Sequence, residues 1–211
     1  MQATARLNLS LIDLILSALI IVATEAYIWL FSPKSVWFLI IPIALVLLLW
    51  RRQSQTTASL GLSISALLRS FRQWSILWLL CICAFLFLGR HILWDKHVLF
   101  RGCLYFIWCC LQQMLYQSVI CRVIRQRLAN PWLAALLSGL LFAALHLPNP
   151  VLITATFVWG AVSCVMFGKV NSVLALALLQ VMLSSMLMWL TPYHLHHGFR
   201  TGRSYYLAPL R

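Results

Sequence analysis

Leu111-Gln112-Gln113-Met114-Leu115-Tyr116-Gln117 sets uncharged polar side chains inside an apolar run, 103–121, that is hydrophobic enough to cross a bilayer. Side-chain amides are costly in hydrocarbon, so they face a bundle interior and satisfy one another there. Two further polar points follow, Phe142-Ala143-Ala144-Leu145-His146 and Gln180-Val181-Met182-Leu183-Ser184. Three such islands on three apolar helices predict one shared intramembrane pocket. The plainer alternative is that the glutamines only hold helices together, since interhelical hydrogen bonds in membranes average ~0.6 kcal/mol.

Composition sets the class. Of 211 residues, 63% are hydrophobic and 9% charged, with mean hydropathy +0.93, where soluble domains carry about 25% charge. A polytopic membrane protein is expected. Apolar runs lie at 9–31, 36–50, 74–89, 103–121, 133–147, 151–168 and 172–190, which predicts about seven helices. Several fall short of the ~20 residues a straight span prefers, and Pro42 interrupts the second. The net charge of +13 sits in short loops, as Arg51-Arg52, Arg69 with Arg72, and Arg122, Arg125 and Arg127. That distribution fits the positive-inside rule and anionic lipid, with the bilayer as partner and no nucleic acid. It orients the N-terminus and the loops near Gln53 and Gln126 toward the cytoplasm, and the histidine-rich tail outward.

Three segments are expected: an N-terminal transmembrane hairpin and linker, 1–59, peripheral to the rest; a core bundle, 60–190; and a polar tail, 191–211. The hairpin turns at Ser32-Pro33-Lys34, and Thr24-Glu25-Ala26 is read as part of an uncleaved anchor, since the apolar run continues through Phe31. Ser63 to Gln73 mixes Leu, Ile and Phe with Arg69 and Arg72, the pattern of a short interfacial amphipathic helix. Seven cysteines, at 81, 83, 103, 109, 110, 121 and 164, lie almost entirely in apolar runs, where Cys acts as a small hydrophobe. No disulfide framework is expected. His194, His196 and His197 form the densest histidine cluster, but no Cys or acid follows, so neither a metal nor a cofactor is expected.

The order and spacing of the islands resemble the CPBP family, the CAAX-protease and bacteriocin-processing (Abi) intramembrane proteases. Their motifs are Glu-Glu-x-x-x-Arg, Phe-x-x-x-His and His-x-x-x-Asn or Asp, each on its own helix. Here the first reads Gln112-Gln113-x-x-x-Gln117, the second is intact as Phe142-x-x-x-His146, and the third reads Gln180-x-x-x-Ser184. The resemblance spans 60 to 190. It implies an all-α, multi-pass bundle of the bacterial cytoplasmic membrane, with the motifs on helices at 103–121, 133–147 and 172–190.

The departures run one way. Family glutamates and histidines activate a water for attack on a peptide bond, and a carboxylate can take that proton where an amide cannot. General-base catalysis is worth ~100- to 10,000-fold, so losing both carboxylates removes the central chemistry. Each replacement by glutamine removes an ionisable group but keeps hydrogen-bonding capacity. This is the pattern of a pseudoenzyme, one that binds membrane peptides or proteins in immunity, maturation or regulation. His146 is the single catalytic position that keeps its residue type. The rival reading is an active intramembrane endopeptidase using His146 with an unrecognised acid, Glu25 or Asp95 being the candidates. Ser184 as a nucleophile with His146 as base lacks an acid to orient the imidazole. A plain structural or transport bundle is the third reading, and transport is disfavoured by the absence of repeat symmetry.

Overall fold

The computed structural model describes residues 11–31, 40–52, 61–90 and 96–207, and among these every regular element is helical. In chain order they are α1 (Leu11–Ala26), continuing through a wide turn Tyr27–Phe31; α2 (Ile40–Arg52); α3 (Ile64–Gln73); α4 (Ser75–Gly89); α5 (Lys96–Leu115), continuing through a wide turn Tyr116–Cys121 into α6 (Arg122–Arg127); α7 (Pro131–Ala144); α8 (Pro150–Val170); α9 (Val173–Leu190); and the short α10 (Tyr193–His196) and α11 (Arg203–Tyr206). The protein is an all-α membrane bundle. Lys96–Leu115, Pro150–Val170 and Val173–Leu190 are each long and apolar enough to cross a bilayer. The hairpin turn at 32–34, most of the linker and Asp95 lie outside the described residues.

Local chemistry sets the helix ends. Asn130 caps α7 by accepting from the Trp132 and Leu133 amides at 2.9 and 3.3 Å, with Pro131 next in the position that needs no N–H. Asn149-Pro150 repeats the device on α8, and Ser172 accepts from the Ala175 amide at 3.2 Å to start α9. Between α8 and α9, Asn171 takes a left-handed conformation, φ 52°. Pro148 disfavours helix at the preceding residue, so α7 stops at Ala144 and His146 sits in the turn beyond it. The expected helix at 133–147 is thus shorter at that end. The amphipathic helix at 63–73 forms as α3, with Ser63 as its cap. It meets α4 at a 92° bend and exposes Ile64, Leu68, Arg69 and Arg72.

Two clusters make the interior. One joins Trp78 and Cys81 of α4 to Met166, Phe167, Val173, Leu176 and Leu179. The other joins Leu16, Ile20, Val46 and Leu49 to Tyr116, Ile120 and Phe142. The first hairpin is therefore not peripheral as expected: it shares a core with two of the motif segments. Gly160 lets α7 and α8 touch, since a Cβ there would lie 2.9 Å from the Phe142 Cβ. Cys121 and Cys164 are disulfide-bonded across α8, against the expectation for the cysteines. They stand 43 residues apart and meet only because α8 packs against the wide turn after α5, which no local spacing reveals.

Candidate functional site

The three polar islands meet. Gln113 and Gln117 lie one turn apart and fully buried, and the Gln117 amide donates to Gln113 Oε1 at 3.0 Å. Gln113 Nε2 donates to Gln180 Oε1 at 2.5 Å, and Gln180 Nε2 donates to Gln112 Oε1 at 2.6 Å. Gln112 Nε2 in turn stands 3.5 Å from His146 Nε2. The other His146 nitrogen, Nδ1, lies 2.7 Å from the Phe142 carbonyl oxygen. A carbonyl can only accept, so Nδ1 carries the hydrogen and Nε2 presents its lone pair to Gln112.

The result is a one-directional relay of donors running from Gln117 through Gln113, Gln180 and Gln112 to His146, ending on a backbone carbonyl. Every glutamine in it orients the next. None of the four can take a proton from water at neutral pH.

Two residues that sequence reasoning did not single out complete the network. Trp159 Nε1 donates to Gln180 Oε1 at 3.2 Å, and Ser163 Oγ accepts from Gln117 at 2.9 Å while donating to the Gly160 carbonyl at 3.2 Å. Both are on α8, which carries none of the three motifs. The available signal was Trp159 and Ser163 four apart on a long apolar helix, the spacing that puts them on one face.

Aromatic rings hold the frame. The Tyr116 hydroxyl donates to the Ser138 carbonyl, its ring packs 4.5 Å from Phe142, and Phe142 meets the His146 ring edge-on at 4.9 Å. The motif phenylalanine is thus a brace: its carbonyl fixes the imidazole and its ring supports it.

A cavity of about 1440 Å³ opens beside the network, with Gln112, His146, Gln180, Trp159 and Ser184 in its wall. The first hairpin contributes Thr24, Tyr27, Ile28 and Val46, and among the described residues no Asp, Glu, Lys or Arg lines it. Ser184 Oγ donates to its own helix, to the Gln180 carbonyl at 2.6 Å, rather than to His146. Glu25 hydrogen-bonds Trp29 and is not in the wall. Asp13 pairs with Arg52 at 3.5 Å. Among the described residues no group of three or more His, Cys, Asp or Glu could hold a metal ion. His196 of the tail cluster is buried and its Nδ1 accepts from the Gly198 amide at 2.9 Å, a structural use of that imidazole.

The comparisons with known proteins fall on the same stretch. No curated protein and no solved structure matches this chain. Residues 97–186, which hold all three islands and both α8 partners, match the family described as Type II CAAX prenyl endopeptidase Rce1-like, and through that segment this chain is similar to the CAAX proteases.

Proposed function

We propose that this protein is a catalytically impaired member of its family, one that uses the family cavity to bind a membrane peptide or protein rather than to cleave it. The observation carrying the reading is the donor relay. At the place where peptide hydrolysis needs a base, four amides are bonded to one another and to a single neutral imidazole. His146 has a lone pair, but Gln112 faces it where a carboxylate or an attacking water would stand. Oxyanion-type stabilisation without a base would leave a rate far below that of a working peptidase. The cavity wall, apolar with neutral polar groups, suits an apolar segment offering uncharged backbone amides.

The test is turnover. Purified protein in liposomes, given prenylated and leader-peptide substrates, is expected to release no product. Cleavage that disappears in His146→Ala would reverse the reading and establish an active endopeptidase.

A further inference from the structure

The C-terminal segment after α9 lies beyond the family match and folds back over the end of the bundle that carries His146. Three hydrogen bonds tie it there. The Gly202 amide donates to the Leu147 carbonyl at 2.7 Å. Asn149, fully buried, donates from Nδ2 to the His196 carbonyl at 2.8 Å and to the Arg200 carbonyl at 3.1 Å, while its Oδ1 caps α8. The segment reaches across to the first helix as well. Gly202, at φ 54°, sits so close to Ile28 that a Cβ would fall 2.7 Å from the Ile28 carbonyl oxygen. The strap therefore spans from the turn beneath His146 to the hairpin, and both of these are cavity walls.

Between its anchors the strap is wound left-handed over three successive residues, with φ 49° at His197, 62° at Gly198 and 58° at Phe199. Glycine takes this conformation freely, whereas for a bulky aromatic it is an outlier that surrounding structure must enforce. The enforcement is visible. The carbonyls of His196 and Arg200, to either side, are the two held by Asn149, and the His196 ring meets Phe199 edge-on at 5.2 Å. The constraint delivers the Phe199 ring to a particular place. Together with Tyr105, Trp108 and Ser184 it lines both the main cavity and a smaller one of about 410 Å³.

We infer that Phe199 is the gate between these two cavities and the residue that sets how long an apolar chain the site admits beside its neutral polar floor. The inference rests on the reading of the main cavity as a binding site. With the ring in place, a chain whose amide end docks at Gln112 and Gln180 stops at Phe199. With the ring gone, the two spaces join.

The probes are octyl, dodecyl and hexadecyl acetamide, each an apolar chain with one uncharged amide, titrated into protein in nanodiscs and read by quenching of tryptophan emission. Phe199→Gly is the informative variant, because glycine relieves the left-handed backbone while removing the ring, so loss of fold is not the expected cost. Its thermal unfolding should match or exceed that of the native chain. Its hexadecyl-to-dodecyl affinity ratio should rise about tenfold over native, equivalent to about 1.4 kcal/mol. Phe199→Trp should lower the ratio. An unchanged ratio in both variants, or an equal change for all three chains, overturns the gate and leaves the cavity reading standing. If the native chain binds none of the probes, the cavity reading fails and the gate fails with it.

Discussion

The centre of this bundle and its basic end treat polarity in opposite ways. At the centre, Gln113, Gln117, Ser163 and Gln180 are buried and bonded to one another, and none is ionisable. At the end where α2 and α6 finish and α3 lies, Arg51, Arg52, Arg69, Arg72, Arg125 and Arg127 are exposed. Charge is kept where water and headgroups solvate it and is missing where only protein could. The motif that this stretch resembles places an arginine four residues after its second glutamate. This chain has a glutamine at that position, Gln117, so the neutral centre is self-consistent: discharging any one position would have stranded the others.

The sharpest way to break the contrast is to put a charge back. Gln113→Glu would bury an acid between Gln117 and Gln180, both of which donate to or accept from position 113 as an amide. An intramembrane carboxylate costs about 3 kcal/mol or more at a helix centre, or is held protonated. Unfolding in mild detergent should show a loss of that order. The double change Gln112→Glu with Gln113→Glu should not restore peptidase turnover, because position 180 still lacks a histidine. Turnover in the double variant would show that two carboxylates were the whole deficit.

Removing an amide without adding charge should cost less. Gln180→Leu leaves Gln113 Nε2, Gln112 Oε1 and Trp159 Nε1 without their partner. Stranded buried polar groups cost about 1–3 kcal/mol, against ~0.6 kcal/mol for an average interhelical bond in a membrane. Equilibrium unfolding in bicelles separates the two values. A loss below the smaller figure would return the glutamines to the role of ordinary packing. At the basic end, Arg69→Gln with Arg72→Gln should change stability by no more than about 0.5 kcal/mol, since both side chains are exposed.

How much of this was legible in the chain depends on the range of the signal. Apolar runs and caps such as Asn130-Pro131 and Asn149-Pro150 are local, and they mark where helices start. The meeting of the islands was expected from polarity in hydrocarbon, because Gln112, Gln113 and Gln180 had nowhere else to satisfy their amides. Trp159 and Ser163 were illegible for the converse reason. An indole and a hydroxyl are common on membrane helices, and only the packing of α8 turns them to Gln180 and Gln117. The Cys121–Cys164 link and the intimate seat of the first hairpin are likewise products of helix packing. The tail looked merely polar because its order comes from Asn149, a residue 47 positions from the carbonyl it holds at His196.

The smallest expected effect concerns that tail and gives the contrast a pH axis. His196 accepts the Gly198 amide on Nδ1, a bond that a protonated ring cannot make. Burial, with the neighbouring His197 adding to it, holds the His196 imidazole below its ordinary range. Its folded value is thus depressed relative to the unfolded chain. The stabilisation is fully present above the unfolded value, about 6.5, and is lost as pH falls through it toward the folded value. The Tyr193 ring packs edge-on against His196, and the influence of His197 acts in the same direction as burial. Amide hydrogen exchange at Gly198 and Gly202 should therefore quicken on going from mildly alkaline to mildly acidic solution, after correction for intrinsic rates. His196→Asn, which keeps an acceptor but does not titrate, should flatten the response. Protection that is unchanged or stronger in acid would show that the strap is held by Asn149 and the Leu147 carbonyl without His196.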